Sequence, residues 1–121
     1  MKIFKVSCDV FKCEILFISN CSYDELRLHL KAKYRCTIEE RGAEDGTIGT
    51  MLTFEKHPWR VVWTKEWKDK SCLIHELFHL VTRICYDRGI KIVSHNEDGS
   101  NGDEAAAYLM EFFTEQTLRR K

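Results

Sequence analysis

No apolar run in this 121-residue chain approaches the ~18 residues needed to cross a bilayer. Its first ten residues, MKIFKVSCDV, are interrupted by Lys2, Lys5 and Asp9 and lack the apolar stretch of an export signal. Neither sign of charge is in excess: 19 Lys and Arg balance 19 Asp and Glu, a formal net charge of zero. Such balance gives no general attraction to nucleic acid or to an anionic membrane, and no basic helix or nucleic-acid motif is present. No repeat or low-complexity tract interrupts the chain. Six cysteines are present (Cys8, Cys13, Cys21, Cys36, Cys72 and Cys85), but no pair has the C-x-x-C spacing of a zinc knuckle or redox motif. The expectation is a cytoplasmic protein whose cysteines are reduced and mostly serve as small buried hydrophobes.

What is present suits one compact domain spanning 1–121: 44% of the residues are hydrophobic and 12% aromatic. Residues 2–18 alternate apolar patches with polar positions, as one long strand or a hairpin would. Ser22 followed by Glu25 is a capping-box signature, and a helix of about three turns is expected after it. Residues 47–54 and 60–64 are β-rich, and the chain's single proline, Pro58, lies in the connector that would make them a hairpin. Trp59, Trp63 and Trp67 are expected to pack the sheet against a helix, with substrate contact as the alternative. Asp69 is a good N-cap for a helix to about Asp87, with Gly89 just past its end. Leu73, Leu77, Leu80, Val81 and Ile84 form its apolar stripe. Ile74, Phe78 and Cys85 widen that stripe, so this helix is expected to be central. After a polar loop, Asn101 or Gly102 opens a last helix to about Leu118. The resulting order is β-α-β-β-α-α.

The chemically informative segment is His75-Glu76-Leu77-Phe78-His79, an H-E-x-x-H motif inside the central helix. Residues four apart lie one above the other on a helix, so both imidazoles can face a single metal ion. Glu76 can then act as general base toward a metal-activated water that attacks a carbonyl. With 5 His among 121 residues, chance placement yields roughly 0.02 such motifs per chain. The bland alternative is a pair of core histidines satisfied by hydrogen bonds.

A catalytic zinc usually takes a third protein ligand. The extension H-E-x-x-H-x-x-G-x-x-H fails, because Thr82 and Cys85 stand at its Gly and His positions. Glu104, at the start of the last helix, is the best-placed candidate; His95, Asp103 and Glu111 are the rivals. Glu104 also follows Asn101 by three residues, where it could simply close a capping box. Tyr108, one turn beyond Glu104, could donate to a developing oxyanion or to the carboxylate ligand, ordinary core packing being its alternative. His29 and His57 have no partner at motif spacing and read as surface histidines. Zinc is favoured by the motif, although manganese, cobalt and iron also accept histidine and carboxylate ligands.

The combination of HELFH at 75–79 with GDEAAAYLMEFF at 102–113 resembles a minimal zincin of the gluzincin kind. It is similar to small metallopeptidases carried by phages and prophages, and more distantly to ImmA/IrrE-type peptidases. The resemblance covers roughly residues 69–118. It implies a small α+β, zincin-like domain whose twisted, mostly antiparallel sheet packs on a central HExxH helix. It also implies a hydrolase with one Zn2+ per chain, held by His75, His79 and Glu104 with Glu76 as catalytic base. The strand bordering the cleft, within 47–64, would bind an extended peptide by strand addition. No second domain or zinc ribbon accompanies these motifs, so the cleft is expected to be shallow. The partner expected is a protein or peptide substrate. The alternative is a non-enzymatic protein-binding module whose zinc site is structural.

Overall fold

The structure, a computed structural model, describes residues 1–40, 46–92 and 102–120. Among these residues, four strands and three helices follow one another as β1 (Lys2–Cys8), β2 (Cys13–Ser19), α1 (Tyr23–Tyr34), β3 (Gly49–Thr53), β4 (Trp59–Thr64), α2 (Lys70–Asp87) and α3 (Gly102–Thr117). The expected α+β class holds. The N-terminal segment, however, is a hairpin of two strands, so the order is β-β-α-β-β-α-α.

The four strands form one mixed sheet in the order β1-β2-β4-β3. β1 pairs antiparallel with β2, placing Cys8 opposite Cys13, and β3 pairs antiparallel with β4. The two hairpins join through β2 and β4, which run parallel from Glu14↔Trp59 to Ser19↔Thr64. Parallel neighbours require a crossover, and α1 lies in that connection. Among the described residues only β2 and β4 have a strand on both sides, and six of seven residues in CEILFIS are buried.

Alternation along the strands divides the core in two. Ile15, Phe17 and Val62 face one side with Leu73, Leu77, Leu80 and Ile84 of α2 and Leu109 and Phe113 of α3. Leu16, Ile18, Val61 and Trp63 face the other, against Leu26 and Leu30 of α1. The protein is thus three layers, with α1 on one face of the sheet and α2 with α3 on the other.

The helix boundaries follow their capping residues. Ser22 Oγ accepts from the Glu25 amide at 3.1 Å while the Glu25 carboxylate accepts from the Ser22 amide at 3.0 Å, completing the box. The Asp69 carboxylate accepts from the Cys72 amide at 3.1 Å and starts α2. At its other end Gly89 adopts φ +69°. The Gly89 and Ile90 amides turn back onto the carbonyls of Tyr86 and Cys85, at 3.0 and 2.8 Å, a Schellman closure.

All three tryptophans are buried, as expected for sheet–helix packing. Trp63 Nε1 donates to the Cys21 carbonyl at 3.2 Å, and Trp67 Nε1 donates to that of Arg120 at 2.9 Å. All six cysteines are buried free thiols. One expectation for α2 fails: Ile74 and Phe78 do not widen its buried stripe but are 44% and 57% exposed. The sheet and α3 cover the arc carrying Leu77, Leu80, Val81 and Ile84, and Phe78 lies beyond it. No helix among the described residues is long and apolar enough to cross a membrane.

Candidate metal centre and cleft

His75 and His79 stand one turn apart on the exposed side of α2, and their rings meet edge to face with centroids 4.7 Å apart. Their Nε2 atoms are 3.1 Å apart. Two nitrogens held at 2.0–2.1 Å from one tetrahedral zinc stand about 3.3–3.4 Å apart. The pair therefore fits a shared ion, and neither ring is engaged in the core.

Glu76 lies between this pair and edge strand β3, with its Cγ close to Gly49, and is only 6% exposed. Burial pushes its carboxyl above the ordinary carboxylate range, against the opposing pull of His79 and His75. The side chain is held by a close approach between α2 and the edge strand β3. A Cβ on Gly49 would fall 2.5 Å from Cys72 Sγ and 3.1 Å from Glu76 Cγ, so only glycine lets the strand lie this near. Cys72 donates its thiol to the Ile48 carbonyl at 3.4 Å. Burial, helped by Asp69 and Glu76, raises its pKa, which keeps it a protonated donor.

Between β3 and α2 runs an open cleft of about 730 Å³, bordered by Gly49, Thr50 and Met51 on the strand and by Glu76, His79, Thr82, Arg83 and Tyr86 on the helix. A second cleft of about 260 Å³ adjoins it, with Arg83, Asp87 and Arg60 in its walls. Asp87 is bonded to Arg60, accepts from Arg83 Nε at Oδ2 over 3.4 Å, and holds the same nitrogen 3.2 Å from Oδ1. Burial alone would raise the Asp87 carboxyl, but the Arg60 hydrogen bond and the charges of Arg83 and Arg60 outweigh it and lower the pKa.

The other residues expected at the site are placed less tightly. Glu104 lies exposed in the first turn of α3, as does Asp103, and Glu111 is exposed further along. His95 and Asn101 lie outside the described residues. Among the described residues, no group of three His, Cys, Asp or Glu side chains is gathered to hold a metal. Tyr108 is 43% exposed, so it is not core packing. Its ring neighbours are Phe11 at 6.1 Å and Phe112 at 6.5 Å, and it does not border the cleft. His29 and His57, expected on the surface, are half-buried against Tyr34 and Trp59.

Gly49 and Arg83 are site residues that the motif alone does not reveal. Arg83 follows His79 by four positions, so helical spacing was a usable signal for it. Gly49 had none, because its role depends on which strand comes to lie beside α2. No family model, curated protein or solved structure matches the chain.

Proposed function

We propose that the chain is a zinc-dependent peptidase, a reading carried by the convergence of His75 and His79 Nε2 to 3.1 Å beside a cleft whose wall holds the Glu76 carboxyl. His75 and His79 would hold the ion, with Glu104 as third ligand from the start of α3. When bound, zinc supplies Lewis acidity, lowering the pKa of water toward about 7 and polarising a carbonyl.

The remaining chemistry belongs to the chain. Glu76 takes a proton from the attacking water as oxygen adds to the peptide carbonyl carbon. It then delivers that proton to the departing amine nitrogen as the C–N bond breaks. Its burial keeps bulk water from competing for the carboxylate, and Gly49 and Cys72 fix where it points. Among the described residues, edge strand β3 has only β4 as a neighbour in the sheet, so its other side can hold an extended peptide by main-chain hydrogen bonds.

The test is metal content per chain in protein purified without chelator, followed by cleavage of a peptide library. About one zinc per parent chain is expected, lost in His75→Ala and weakened in Glu104→Ala. Glu76→Gln is expected to keep its zinc while hydrolysis falls by roughly 100-fold or more. Parent protein that takes up no zinc when it is offered would overturn the reading and favour a binding module. A Glu76→Gln variant as fast as the parent would remove Glu76 from the mechanism.

A further inference from the structure

Among the described residues, the cleft has one cation in its lining, Arg83, and this residue is positioned in a specific way. Its Nε is tethered to Asp87 at 3.2 Å, and the guanidinium carbon stands 5.7 Å from the Tyr86 ring. Among the described residues, the hydrogen bond that Arg83 donates to Asp87 comes from Nε and not from either terminal nitrogen. Asp87 is itself held by Arg60, so the tether is anchored from behind. A guanidinium fixed through Nε presents its two outer N–H edges as a preorganised fork for a carboxylate.

The spacing locates what this fork would meet. Arg83 lies one helical turn past His79, about 6 Å along the axis of α2. An extended peptide advances about 3.3 Å per residue, so Arg83 reaches a group roughly two residues from the bond that faces His79.

From this arrangement we infer that Arg83, positioned by Asp87, selects peptides carrying a carboxylate about two residues from the scissile bond. The inference rests on the peptidase reading for the direction in which the substrate is counted, but its test uses binding alone. An acidic side chain and a free chain terminus offer the same chemistry, and both would be accepted by the fork.

The experiment measures binding of fluorescent peptides by anisotropy to Glu76→Gln, chosen because its turnover is expected to be slow on the time scale of the measurement. Peptides identical except for Glu or Gln at the chosen position are compared, each with a free or an amidated C-terminus. The Glu peptide is expected to bind roughly 5-fold tighter, a modest factor because Arg83 is 47% exposed on its side chain. That preference should vanish when Arg83→Gln is added and turn toward a Lys peptide with Arg83→Glu, a reversal that loss of structure does not produce. Asp87→Asn should shrink it without changing its sign. If only the free terminus carries the gain, the group recognised is a chain end; if amidation leaves the gain intact, it is a side chain.

Equal binding of Glu and Gln peptides, binding of neither, or a preference that survives Arg83→Gln each overturns the assignment. Failure of the peptidase reading looks different: the protein would lack zinc and hydrolysis whatever the peptides do.

Discussion

At Gly49 a missing side chain is what brings the catalytic candidate Glu76 and edge strand β3 together. Its absent Cβ would sit 2.5 Å from Cys72 Sγ, closer than packed atoms tolerate, so Gly49→Ala must push α2 and β3 apart. Overpacking of this kind costs about 1–3 kcal/mol. Urea unfolding should show that loss, and hydrolysis should fall further because Glu76 Cγ is the next atom displaced. The same substitution in a Cys72→Ala background should cost clearly less, since the obstructing sulfur is gone. An equal cost in both backgrounds would locate the strain elsewhere. Such a role was not legible in the sequence, where Gly49 is one of several glycines in a weakly patterned stretch. His75, Glu76 and His79 were legible because their relation is set by the helix that carries them.

Elements bounded by local chemistry were the readable ones. Ser22 with Glu25, and Asp69 with Gly89, mark helix ends that the structure reproduces, because a cap depends on residues within a few positions of itself. Asp69→Ala is expected to lower stability by about 1 kcal/mol, read as a lower unfolding midpoint, since the Cys72 amide loses its acceptor. Zinc stoichiometry should be unchanged, because His75 begins the second turn of α2 rather than the first. An unchanged midpoint would mean that water replaces the cap at no cost. The parallel β2–β4 pairing was less readable, as strand patterns show which faces are apolar but not which edges meet. Exposure of Ile74 and Phe78 escaped for a related reason: periodicity identifies an apolar arc, while neighbouring elements decide how much of it is covered.

On the scale of the whole molecule, the cysteines act together. Burial is the largest cause raising the thiols of Cys21, Cys36, Cys72 and Cys85, and it lifts Cys13 from 9.0 to about 11 with further help from Cys8. A folded-state pKa above the unfolded value leaves stability intact below about pH 9 and erodes it as pH rises toward 11, where the unfolded chain ionises first. Cys13 alone accounts for roughly 2–3 kcal/mol across that window. Urea midpoints measured in reductant should therefore drop between pH 8 and 10.5, and drop less in Cys13→Ala. A midpoint that stays level would show that the thiols ionise as readily folded as unfolded. The mixed sheet also has a consequence for how the chain is made. Ser19 and Thr64, whose hydroxyls meet at 2.9 Å where β2 and β4 end, are 45 positions apart. At ribosomal rates of 5–20 residues per second, β2 waits ~2–9 s for its partner, with only β1 along its other side. During that interval CEILFIS is an apolar strand with an open edge, the template on which nascent chains stick to one another. Yield during synthesis should thus be governed by how quickly β4 follows β2 into the open, more than by the stability of the finished domain.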